Sequence, residues 1–117
     1  MGYPEEAKLY ITAALDSAIS SSNKFVTVHA LLFLAQVIAV QGDPVRALEI
    51  GAAARAASLW EKSNFNRKVL VEPLTELTAG VAPELASMIR QRGQVQDIFD
   101  IAAQLREEVQ SPDWRWG

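Results

Sequence analysis

Few residues in this chain could do chemistry, and their spacing keeps them apart. His29 is the sole histidine, and no cysteine is present to serve as nucleophile or metal ligand. A lone imidazole on an apolar helix, with every carboxylate elsewhere in the sequence, cannot assemble a metal site. No nucleophile with a base and an orienting partner accompanies it, so His29 reads as a structural or lining histidine. The acid pairs Glu5–Glu6, Asp97–Asp100 and Glu107–Glu108 all fall at or near the ends of expected helices. There the helix dipole or solvent accounts for them better than a catalytic dyad does. Arg90, Arg92 and Arg106 form a small basic group, suited either to an acidic partner or to solvation at helix ends, where surface charges contribute little. The six glycines are isolated, so no phosphate-cradling loop exists. These residues predict no enzyme: no catalytic group, no cofactor and no metal.

Composition narrows what is left. A chain of 117 residues and 12.8 kDa is one domain with room for its own core. Half the residues are hydrophobic and 21% are charged, which is ordinary for a soluble protein. A net charge of −3 with a pI near 5.1 gives a phosphate backbone nothing to bind overall. A helix-turn-helix over residues 82–105, with Gly93 in the turn, fails on the same ground. Its recognition helix would carry Asp97 and Asp100 towards phosphates. No direct nucleic-acid partner is expected. The absence of cysteine fits a reducing compartment, and Glu5, Glu6 and Lys8 follow Met1 with no apolar signal-peptide core. Both point to the cytoplasm. The abrupt opening, Met1-Gly2 directly before Tyr3-Pro4-Glu5-Glu6-Ala7, suggests a piece of a longer protein.

The elements that would position these residues are all helical, about six of them. No segment alternates as a strand does. Residues 25–42 contain no charge, a run that approaches the ~20 apolar residues of a membrane span. Thr27, His29, Gln36 and Gln41 interrupt it, and Lys24 and Asp43 bound it, so it reads as the centre of a soluble helical stack with no membrane partner. Gly42 suits the left-handed cap that closes this helix. Asp43 then serves as N-cap and Pro44 as first residue of the next helix, which must run back antiparallel. Ala47, Gly51 and Ala54 give that helix a face nearly bare of side chains, which lets a neighbour approach closely.

Around this hairpin, residues 3–19 form a first helix with Ala7, Ile11, Ala14, Leu15 and Ala18 on its apolar side, and residues 20–23 break it. Residues 57–64 hold two capping signals, Ser58 with Glu61 and then Ser63. A helix carrying Phe65, Val69, Leu70, Leu74 and Leu77 runs to about Thr78, with Pro73 bending or interrupting it. Gly80 stops it. Pro83 and Glu84 open a further helix with Leu85, Met88 and Ile89 apolar, which Gly93 ends. The last helix covers about 95–109, with Ile98, Ile101, Ala102 and Leu105 on one side, and Ser111-Pro112-Asp113 closes it. The domain is thus residues 1–110, with a tail at 111–117.

The first helix can be laid over the second helix of the hairpin: Tyr3-Pro4-Glu5-Glu6-Ala7 with Ile11 and Ala14 parallels Asp43-Pro44-Val45-Arg46-Ala47 with Gly51 and Ala54. Ala47 lies 40 residues after Ala7 (47 − 7). With Leu34, Ala35, Gly42, Ala47 and Ala54 in place, the hairpin resembles the tetratricopeptide repeat, an antiparallel α–α superhelix. The usual period is about 34 residues, and Leu31 and Ile38 stand where the signature Trp and Tyr of helix A would be. Such extended repeats look like the helical region of large bacterial signal-transduction ATPases and transcriptional activators of the MalT and LuxR type. Leu74-Thr75-Glu76-Leu77, Pro83-Glu84-Leu85, Arg92-Gly93-Gln94 and Ile98-Phe99 resemble the end of that repeat array.

The resemblance implies repeat helices over 1–59, capping helices over 60–110, and a scaffold for protein–protein contact, with a protein or peptide partner. Helix A of such a repeat lines its concave groove, where His29, Leu32, Gln36 and Val40 would point. The alternative, that the capping helices fill this groove, stays open. A groove holding His29 and Gln36 would equally suit a small-effector sensor. Trp60 is expected to pack at the end of the hairpin. Trp114 and Trp116 either fold back on the helices or dock on a second chain, which makes a homodimer the further partner to expect.

Overall fold

The second helix of the chain holds the fold together. The structure, a computed structural model, describes residues 5–57 and 72–114, without the side chains of residues 5–8 and 10. Among them lie six helices and no strand: α1 (Glu5–Ser21), α2 (Lys24–Val40), α3 (Pro44–Ala56), α4 (Glu72–Leu77), α5 (Pro83–Gln94) and α6 (Ile98–Val109). In α2 the residues Thr27, Val28, Ala30, Leu31, Leu32, Leu34, Ala35, Val37 and Ile38 are all buried. They cover more than half of the helix circumference, and α1, α3, α4 and α6 all pack against the helix. An uncharged helix is what such surroundings require, because a buried charge without a partner is costly. Thr27 is the one buried polar side chain in that run, and its Oγ1 donates to the Asn23 carbonyl at 2.7 Å. This helix has 17 residues, and no described helix is long and apolar enough to cross a membrane.

The α2–α3 turn forms as its residue types dictate. Gly42 takes φ +105°, the left-handed region. Its N–H donates to the Ala39 carbonyl at 3.1 Å, and the Asp43 N–H donates to Ile38 at 3.1 Å. This crossed pair satisfies two of the last carbonyls of α2. The Asp43 carboxylate then accepts from the Arg46 N–H at 3.1 Å, and Pro44 opens α3.

Ala47, Gly51 and Ala54 are buried as the small-residue face predicts. A Cβ on Gly51 would stand 2.7 Å from Leu74 Cδ2, so α4 seats its leucine in that gap. A second close approach was not legible in the pattern. Gly93 lies inside α5 rather than ending it, and a Cβ there would fall on the Glu49 carbonyl and 3.0 Å from Ala52 Cβ. Its glycine serves helix contact, and α5 closes at Gln94 with Val95 as cap. The same crossing decides which side of α5 is buried. Ala86, Ile89 and Gly93 face α3, where Leu48, Ala86 and Ile89 form a small core of their own, while Leu85 and Met88 are exposed.

Two boundaries also move. Ser20 and Ser21 continue α1 instead of breaking it, their hydroxyls donating to the Ser17 carbonyl at 3.3 and 2.6 Å. The break narrows to Ser22, at φ +54°, and Asn23, whose side chain caps α2 by accepting from the Val26 N–H. Asp97 is the N-cap of α6, not part of its first turn. Pro73 falls in the first described turn of α4. Trp60, Ser58, Glu61, Ser63, Phe65, Val69 and Leu70 lie outside the described residues, as does Trp116.

The last helix returns to the first. Ile98, Ile101, Ala102 and Leu105 of α6 are buried in the main core with Ile11 and Leu15 of α1 and Leu31 and Leu34 of α2. Helix α6 packs on both α1 and α2.

Candidate functional site

The stripe His29, Leu32, Gln36 and Val40 follows one side of α2 but does not form one open groove. Leu32 is 1% exposed and belongs to the core. Gln36 is half-buried. His29 and Val40 open on separate clefts at opposite ends of the helix. Eleven positions of helix, roughly 16 Å at 1.5 Å per residue, separate them.

The cleft at His29 lies between α1 and α2. It encloses about 280 Å³ and is lined by Ile11, Ala14, Phe25, Val26, His29, Ala30 and Phe33. Phe25, His29 and Phe33 recur every four residues, which stacks them along one face. The His29 Nδ1 donates to the Phe25 carbonyl at 3.0 Å. A carbonyl has no proton to give, so Nδ1 carries the hydrogen. Phe25 is 65% exposed at the mouth. Everything else in the lining is apolar, so this cleft suits an apolar group.

The cleft at Val40 is built where α2 and α6 end and α3 begins. It encloses about 450 Å³ between Val40, Gln41, Arg46, Glu108, Ser111, Asp113 and Trp114. Arg46 Nη1 donates to Glu108 Oε1 at 2.6 Å, and Nη2 pairs with Oε2. The hydrogen bond that Arg46 donates to Glu108 is the chief reason the Arg46 pKa is raised above its ordinary value; desolvation opposes it, and the Glu108, Asp43 and Glu49 charges add to it. Trp114 folds back, half-buried against the main core, through the turn that its N–H closes onto the Ser111 carbonyl at 3.1 Å.

The three arginines of the expected basic group do not act together. Arg92 pairs with Glu49 of α3 at 3.2 Å, and Glu49 also accepts from Gln96 Nε2 at 2.6 Å. Arg106 pairs with Asp16 of α1 at 2.5 Å. Arg90 lines a third cleft with Leu48, Gly51 and Leu74. Nor do Asp97–Asp100 and Glu107–Glu108 act as pairs: Glu108 is engaged by Arg46, and Asp97 caps α6 by accepting from the Phe99 N–H at 2.7 Å, while the side chains of Glu5 and Glu6 lie outside those described. Among the described residues, no group of three or more His, Asp or Glu could hold a metal ion. Residues 46 and 49 were missed from the sequence because their partners lie 62 and 47 positions away, with no local pattern to mark them.

Comparison with known family profiles, with characterised proteins and with solved structures returns no match.

Proposed function

We propose that this chain is a non-catalytic helical-repeat scaffold that holds a protein or peptide partner, within a bacterial signalling ATPase or transcription regulator. The family part of this reading rests on the sequence pattern of Leu34, Ala35, Gly42, Ala47 and Ala54. The observation that carries the function is the α1–α2 cleft, where Phe25 stands 65% exposed beside an apolar lining that contains one polar side chain, His29. Exposed aromatic residues next to a preformed apolar recess are how protein partners are anchored. Selection of displayed peptides against the intact chain tests it, with Phe25→Glu as counter-target. Peptides rich in apolar residues should be enriched and should lose about tenfold in affinity on Phe25→Glu, the scale of one anchor residue. Peptides that bind both forms alike, or no enrichment, would overturn the reading.

A second reading has its own observation. The cleft of about 450 Å³ at Val40 and Trp114 has the size and the aromatic and charged lining of a small-molecule site. A sensor would therefore use the C-terminal end of α2 rather than its middle. Stabilisation of the intact chain by a small effector, abolished in Trp114→Ala, would favour it.

A further inference from the structure

One flank of α5 exposes apolar side chains. Leu85, Met88 and the C-cap Val95 are 45%, 67% and 84% exposed. With Arg92 they recur at spacings of three and four, about a third of a turn around from the side that Ala86, Ile89 and Gly93 bury against α3. Unbranched methionine at the centre of such a stripe adapts readily to a facing surface.

The charges along this face identify what covers it. Glu84 stands four residues before Met88, and Arg92 stands four residues after it. Both are exposed, the Arg92 side chain 61% so even while it reaches Glu49. Two copies of α5 laid antiparallel about Met88 therefore bring each Glu84 to the other copy's Arg92. Leu85 fills the space beside the opposing Met88. A parallel arrangement would set Glu84 on Glu84 and Arg92 on Arg92, which repel. A surface whose charges invert about one residue is complementary to itself, as an isologous two-fold contact demands.

We infer that this chain self-associates through α5, as a two-fold antiparallel helix pair centred on Met88. The contact uses a face apart from the α1–α2 cleft, so it neither rests on nor excludes partner binding there. A helix of 12 residues is about 18 Å long, so the paired area falls below that of a standard interface. Weak, reversible association is expected of so small a contact.

Sedimentation of the intact chain, from low-micromolar to near-millimolar concentration, reads the association directly. Met88→Asp should weaken it about tenfold or more, with an unchanged circular-dichroism melt because Met88 is exposed. Glu84→Arg alone should weaken association, and Glu84→Arg with Arg92→Glu should restore it. Since Arg92 also reaches Glu49, the melt of the double variant is measured alongside. Because the chain has no cysteine, Met88→Cys supplies a geometric check: it should oxidise to a disulfide-linked dimer far faster than Val40→Cys. A monomer at every concentration overturns the inference. So does a dimer that survives Met88→Asp, which would place the contact on another surface.

Discussion

Arg46 in the first turn of α3 and Glu108 in the last turn of α6 meet in a two-point ion pair across 62 positions of sequence. The planar guanidinium matches the carboxylate fork, so each donor has its own acceptor. Their side chains are 33% and 31% exposed, which places the pair between a surface and a buried bridge.

A double-mutant cycle with Arg46→Ala and Glu108→Ala should give a coupling of about 1 kcal/mol, above the median for exposed pairs. Chemical denaturation measures it, and raising the salt concentration should shrink it. Zero coupling would mean that this pair adds nothing to the seating of α6 on α3.

Two glycines should respond oppositely to the same added methyl. In an exposed helix interior, Gly→Ala stabilises by about 1 kcal/mol. Gly93→Ala should instead destabilise by about 1–3 kcal/mol, because the methyl would meet the backbone carbonyl of Glu49, which cannot swing aside. Gly51→Ala meets only the flexible end of Leu74, so propensity and crowding should nearly cancel, leaving a change within about 1 kcal/mol. Thermal melts of both variants decide it.

Ser22 closes α1 at φ +54°, where a side chain crowds the backbone and glycine does not. Ser22→Gly should raise stability by up to about 1 kcal/mol, although glycine loses more freedom on folding. A lower melting temperature would show that the Ser22 side chain contributes more than its strain costs.

Leu32 and Val40 occupy the same stripe of α2 but opposite environments. Leu32→Ala should cost about 2–5 kcal/mol, since it empties a fully enclosed site. Val40→Ala, at 48% exposure, should stay within about 0.5 kcal/mol. Equal effects would mean that the stripe lies in one continuous groove after all.

What could be read from the sequence was what neighbours in sequence determine. The Gly42-Asp43-Pro44 turn, the all-helical class and the inward side of α6 follow from backbone preference and periodicity, and they appear as expected. The side of α5 that is buried did not follow. Leu85 and Met88 are the more hydrophobic choice, yet Gly93 permits a closer crossing with α3, so the small side turns inward. The candidate residues divided for the same reason: Leu32 lies where four helices converge, and that convergence is set by packing between distant segments. The ion pairs of Arg46, Arg92 and Arg106 likewise join residues that no short pattern connects.

The return of α6 to α1 has a consequence for how the molecule assembles. The turns at residues 22–23 and 41–43 join their helices at almost no entropic penalty, so α1, α2 and α3 can nucleate together early. Their oily flank stays wet until α6, the last helix in the chain, arrives to seal it. A nascent or partly unfolded chain would therefore present Ile11, Leu15 and Leu34 to any passing chaperone or to another such chain.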